Sequence, residues 1–147
     1  HIVTLRTFSK IGGMAGLRIG FGIAKKELID WLKKEQPPYS VNRLAQVAVR
    51  AFLGDVDYRK RLLQNNLRGK EFLYRQFNRL NLSYIPTEAN FIFVDLKGDA
   101  DLVCGKLIED GVIVRSGKIW GCNSYIRVTI GSEKQNQQFI RALEKIL

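Results

Sequence analysis

The chain has 147 residues, 46% of them hydrophobic, with 24 basic residues against 14 acidic ones and a formal net charge of +10. That is enough apolar content to bury a core of about one domain, which excludes a disordered segment. No apolar run approaches the ~20 residues that a membrane-spanning helix needs.

In chain order, Ile2–Leu5 reads as a strand, and a glycine-studded loop around Ser9, Lys10, Gly12, Gly13 and Gly16 follows it. Leu17–Ala24 reads as a second extended segment, rich in β-branched residues and glycine. Strand periodicity there sets Arg18 on one face, with Leu17 and Ile19 opposite. Lys25–Glu35 carries Leu28, Trp31 and Leu32 at helical spacing and is stopped by Pro37 and Pro38. After a loop to Asn42 comes a helix with Leu44, Val47, Ala48, Ala51 and Phe52 on one apolar face. It breaks near Gly54, and a second helix over about 57–80 carries Leu63, Leu67, Leu73, Phe77 and Leu80.

Beyond Asn81 the pattern changes. Leu82–Ile85 and Asn90–Leu96 read as strands about a Pro86-Thr87-Glu88 turn. Asp95 ends the second of them, and Asp99 caps a helix over about 100–110, which Gly111 closes in a left-handed conformation. Strands at 112–116 and 124–130 come next. In the latter, Ile126, Val128 and Ile130 share one face, while Tyr125, Arg127 and Thr129 share the other. Ser132 and Gln135 then open a final helix with a capping-box pattern, and Phe139, Leu143 and Ile146 form its buried stripe. Trp31, Trp120 and the phenylalanines read as core residues.

Cys104 and Cys122 lie too far apart for a CxxC motif, and a reducing, cytoplasmic setting is the simpler reading. Cys104 falls in an apolar helical pattern, and Cys122 falls in a loop. His1 is the single histidine and carries no inference; no metal site is indicated. The basic residues are scattered rather than clustered. Lys25, Lys26, Lys33 and Lys34 sit on solvated helix faces, so nucleic-acid binding by a noncatalytic basic domain stands only as an alternative.

The lysine loop carries the chemistry. A lysine amine condenses with the aldehyde of pyridoxal phosphate, while a hydroxyl, exposed backbone N–H groups and an arginine hold the phosphate. Arginine presents a planar fork that meets a phosphate at two points. Lys10, Ser9, Arg18 and, less directly, Thr7 fill those roles. Arg115 and Arg127, near the ends of two strands, form a candidate receptor for a second anion. The plain alternative for each arginine is an exposed surface charge worth little.

The segment from Thr7 to Gly22, T-F-S-K-I-G-G-M-A-G-L-R-I-G-F-G, resembles the cofactor-lysine signature of fold-type I aminotransferases. Within them it is most similar to the histidinol-phosphate aminotransferases. Further matches follow in order: P-P-Y-S-V-N at 37–42, E-A-N-F at 88–91, G-V-I-V-R at 111–115 and Y-I-R-V-T-I-G at 125–131. The resemblance implies an α/β fold comprising the end of a large cofactor domain (1–54) and a small α/β domain (55–147). It also implies the C-terminal portion of a homodimeric enzyme that moves an amino group between histidinol phosphate and 2-oxoglutarate, in histidine biosynthesis. In that reading Lys10 binds pyridoxal phosphate and shuttles the substrate's α-proton, and Ser9, Arg18 and Thr7 hold the cofactor phosphate. Arg115 and Arg127 receive the substrate's acidic group, and Asn42 and Asn90 border the same site. Without the upstream residues the chain alone is expected to be inactive. Threonine-phosphate decarboxylases and other amino-acid aminotransferases share these motifs and stand as the alternatives.

Overall fold

The computed structural model describes residues 2–147. Among them the order is β1 (Thr4–Thr7), β2 (Gly20–Ile23), α1 (Lys26–Lys34), α2 (Arg43–Gly54) and α3 (Val56–Arg79), followed by β3 (Ser83–Ile85), β4 (Phe91–Asp95), α4 (Ala100–Glu109), β5 (Arg115–Ser116), β6 (Tyr125–Thr129) and α5 (Glu133–Ile146). The chain divides into two compact units between Leu62 and Leu63, inside α3. The sequence-based boundary at 54/55 falls at the break between α2 and α3, where the Asp55 carboxylate accepts from the Tyr58 N–H at 2.8 Å. Among the described residues no helix is long and apolar enough to cross a membrane.

In the first unit β1 and β2 pair antiparallel, Thr4 opposite Ile23 and Thr7 opposite Gly20. Phe8, at the end of β1, is buried; its ring packs on Phe21 and edge-on against Phe52 of α2. The structure corrects two helical faces. Ala45 and Phe52 are the buried residues of α2, whereas Leu44 and Val47 are exposed. No residue of α1 is buried, and Trp31 is 66% exposed, so it is not a core residue of this chain. Periodicity reveals that a stripe is apolar, but what covers it comes from elsewhere in a fold.

The second unit is built on a four-stranded antiparallel sheet in the order β3-β4-β6-β5. β4 and β6 alternate half-buried with buried residues, as a sheet covered on one face requires. Ile92, Val94, Ile126 and Val128 join Leu73 and Phe77 of α3, Leu107 of α4 and Phe139, Ile140 and Leu143 of α5 in one core. Leu63 and Leu67, expected on the α3 apolar face, are exposed. Gly69 permits close packing of α3, since a Cβ there would lie 2.6 Å from Ile130 and 2.8 Å from the Asn136 amide.

The helix ends follow local chemistry. The Asp99 carboxylate accepts from the N–H groups of Asp101 and Leu102, and Asp95 accepts from Lys97 N–H as its strand ends. Gly111 has φ +73; its N–H donates to Ile108 O and that of Val112 to Leu107 O, the paired bonds of a Schellman closure. The Ser132–Gln135 capping box forms with both of its bonds. The 112–116 strand shrinks to Arg115–Ser116, because β5 pairs with β6 only at those two residues.

Candidate functional site

The loop joining β1 to β2 carries the first group of residues. It folds back on itself: Phe8 donates its N–H to Ile19 O at 3.2 Å and accepts from Met14 N–H at 3.1 Å. Lys10 O accepts from Gly13 N–H at 3.0 Å, and Gly13 turns at φ +65. A Cβ on Gly12 would stand 2.7 Å from Phe8 O, so the turn closes only around glycine. Lys10 is thereby exposed at the bend while Ser9 beside it is half-buried. The Thr7 hydroxyl accepts from Ser9 N–H at 3.0 Å and donates to Ser9 Oγ at 2.9 Å. Ser9 keeps its own hydroxyl proton to offer to an anion. An open amine beside a hydroxyl donor suits a phosphorylated aldehyde.

Arg18 does not sit on a strand. Ala15–Leu17 forms a 3-10 turn, and Arg18 closes it in the left-handed region at φ 53, ψ 55. The strand alternation that set Arg18 against Leu17 and Ile19 is therefore overturned; β2 starts only at Gly20. The Arg18 guanidinium folds back to donate to Ala15 O at 2.7 Å. Asn42 has a double structural task. Its Oδ1 accepts from Ala45 N–H at 2.8 Å as the cap of α2, and its Nδ2 donates to Leu17 O at 3.0 Å, tying the helix to the residue before Arg18.

The second unit carries the arginine pair. Arg115 and Arg127 are direct register partners across β5 and β6. Both line a groove of ≈ 720 Å³ together with Ser116, Lys118, Ile119 and Thr129. Among the described residues neither arginine has a carboxylate partner within salt-bridge distance; the ion pairs nearby engage other groups, such as Lys118 with Asp101 at 2.8 Å. Hydrogen bonding from Lys118, then from Ser116, holds the Asp101 carboxyl below its ordinary pKa. Like charges directly opposite on a sheet repel, and an anion between the two arginines would offset that repulsion.

Arg127 is held by aromatic rings. Its guanidinium lies 5.2 Å from the Phe91 ring and 5.6 Å from the Trp120 ring. Phe93 supports this platform, stacked on Tyr125 at 4.8 Å and edge-on to Trp120 at 6.0 Å. Trp120 is half-exposed and lies against an arginine, not in the core that its sequence context suggested. Gly117 lets the segment carrying Trp120 close over the sheet, since a Cβ there would meet Cys122 O at 2.6 Å and Tyr125 O at 2.8 Å. Asn90 is exposed just before β4, and its carbonyl accepts from Ile130 N–H at 2.9 Å. Sequence reasoning missed Phe91 and Trp120 as arginine supports, because that pairing depends on cross-strand register.

With this geometry in hand, the sequence matches the family of class I and II aminotransferases over residues 1–143. The chain belongs to that family. This aminotransferase chain is 50% identical, over all of its length, to a histidinol-phosphate aminotransferase of Moorella thermoacetica, of which it covers 38%. It spans about two fifths of the length of the curated relatives it matches. Its fold is similar to that of the L-threonine-O-3-phosphate decarboxylase of Porphyromonas gingivalis, with 30% identity, a TM-score of 0.83, and 98% of this chain and 46% of that one covered. It is also similar in fold to a Sinorhizobium meliloti histidinol-phosphate aminotransferase solved in complex with pyridoxal-5'-phosphate, with 24% identity, a TM-score of 0.84, and 99% of this chain and 42% of that one covered.

Proposed function

We propose that the chain is the C-terminal portion of a pyridoxal-phosphate-dependent histidinol-phosphate aminotransferase, cytoplasmic and homodimeric as a whole protein. The observation that carries this reading is the bend at Lys10, where an exposed amine adjoins a serine hydroxyl whose proton is free to donate. The identity to the Moorella thermoacetica enzyme directs it to histidinol phosphate. The large-domain and small-domain division at 54/55 belongs to the same proposal.

Bound pyridoxal phosphate supplies an aldehyde for the amine and an electron sink for the substrate's α-carbon. Lys10 Nζ would hold that aldehyde and, as a free amine, would take and return the α-proton. Ser9 Oγ and the Arg18 guanidinium would bind the cofactor phosphate, and Thr7 orients Ser9 by donating to it. Arg18 must exchange its bond to Ala15 O for the phosphate, a cost that a charge-assisted pair outweighs. Arg115 and Arg127 bind the dianionic phosphate of the substrate. Asn42 keeps Leu17 and Arg18 in place, and Asn90 borders the substrate's acidic end.

Pyridoxal phosphate added to the full-length protein and reduced with borohydride should leave a covalent adduct at Lys10, absent from Lys10→Ala. The same protein should transaminate histidinol phosphate with 2-oxoglutarate. Turnover of threonine phosphate alone, with release of carbon dioxide, would select the decarboxylase alternative, the activity named for the similar Porphyromonas gingivalis protein. Salt-sensitive nucleic-acid binding with no adduct would instead select the noncatalytic reading.

A further inference from the structure

Lys70 is a charged residue in a place where charge is costly. It lies on α3, is 9% exposed, and follows Gly69, where a Cβ would lie 2.6 Å from Ile130. Its ammonium donates to Thr87 O at 2.9 Å and to the Glu88 carboxylate at 3.1 Å. The Glu88 side chain is 98% exposed, so solvent screens that half of the arrangement. A methionine, of nearly the same length, would avoid the desolvation cost and fill most of the same space. What the ammonium adds is a fixed position for the Thr87 carbonyl.

Lys70 does not act alone. Asn66 and Tyr74 flank it at i−4 and i+4, on the same face of α3. Asn66 Nδ2 donates to Ala89 O at 3.4 Å, and the Tyr74 hydroxyl accepts from Thr87 N–H at 2.8 Å. Thr87 Oγ1 accepts from Ala89 N–H at 3.0 Å, closing the segment on itself. Three helical side chains thus grip both backbone polar groups of Thr87 and the carbonyl of Ala89. The next residues are Asn90, whose carbonyl accepts from Ile130 N–H, and Phe91, whose ring lies against the Arg127 guanidinium. Phe91 is paired with Thr129, two residues beyond Arg127 on β6.

We propose that Lys70 is a positioning residue for Arg127, acting through the Thr87–Ala89 segment that it ties to α3 and the Asn90–Phe91 strand start that this segment places. The proposal rests on the reading of Arg127 as the receiver of the substrate anion. Lys70 touches no substrate. It sets where the Phe91 ring stands, and the ring sets the plane of the guanidinium. Tyr74 serves the same end from the other side of Thr87, its ring stacked on Tyr84 of β3 at 4.4 Å.

The test uses Lys70→Met and Tyr74→Phe in the full-length protein, with two readouts. The first is hydrogen–deuterium exchange of the peptide covering residues 86–95. The second is steady-state kinetics with histidinol phosphate, beside borohydride trapping at Lys10. Both variants should exchange faster in that peptide while α5 keeps its protection. KM should rise about tenfold with kcat and cofactor trapping retained, the pattern of lost substrate placement. Unchanged exchange at 86–95 overturns the proposal whatever the substrate proves to be. Faster exchange with unchanged KM also overturns it, because the clamp would then serve stability alone. A wild-type protein inert toward histidinol phosphate would sink the proposed function, and the exchange result would still decide whether the clamp exists.

Discussion

Arg115 and Arg127 face each other across the last two strands of the sheet, and Arg127 is flanked by the rings of Phe91 and Trp120. Two guanidinium-bearing residues thus stand in register, one of them beside two aromatic rings. Under the proposed reading, this pair meets the substrate anion with the planar donor fork that arginine provides.

Removing the Arg127 fork should weaken substrate capture more than chemistry. Arg127→Ala in the full-length protein is expected to raise KM for histidinol phosphate about 10- to 100-fold, the worth of one or two charge-assisted bonds. Arg127→Lys keeps the charge but loses the fork and the stacking, so its KM should stay well above wild type. A lysine variant with wild-type KM would show that the aromatic support is irrelevant.

Gly117→Ala tests the support from the opposite side. A methyl group cannot fit 2.6 Å from Cys122 O and 2.8 Å from Tyr125 O without moving backbone. The expected loss is about 1–3 kcal/mol in urea unfolding, with a shift in tryptophan emission as Trp120 leaves Arg127. Retained stability and an unaltered spectrum would refute the close approach.

Asn42 separates two functions in one side chain. Asn42→Ala should cost about 1 kcal/mol through the lost α2 cap. Asn42→Asp keeps the accepting oxygen but cannot donate to Leu17 O, so it should retain the stability and bind pyridoxal phosphate more weakly. Equal cofactor affinity in Asn42→Asp and wild type would show that the tether to the lysine loop has no part in binding.

Burial, with a smaller contribution from Asp101, raises the Cys104 thiol above its ordinary value. A folded state that holds this proton more tightly than the unfolded chain gains stability below the unfolded thiol pKa. It loses that gain as pH rises through the thiol range toward the raised value. The denaturation midpoint of wild type should therefore fall more steeply between pH 8 and 10 than that of Cys104→Ala. Iodoacetamide should modify Cys104 slowly at pH 8 until the chain unfolds; rapid modification of the folded chain would contradict the raised pKa.

Much of this protein is local and could be read along the chain. The Asp99 cap, the Gly111 closure and the Ser132–Gln135 box each involve partners within a few residues, so the sequence contains the whole interaction. The alternation of Tyr125–Thr129 likewise set Ile126 and Val128 inward and Arg127 outward before any partner strand was known. The bend of the lysine loop belongs here too, written in glycines that the turn demands. What the tertiary structure alone decided lies in contacts between distant segments. Arg115 meets Arg127, Arg127 meets Phe91 and Trp120, and Lys70 meets Thr87 because strand register and helix rotation bring them together. Those depend on how all the apolar faces pack at once. The same cause moved the buried stripe of α2 to Ala45 and Phe52, and a local turn ending in a left-handed residue took Arg18 off the strand that its neighbours' periodicity implied.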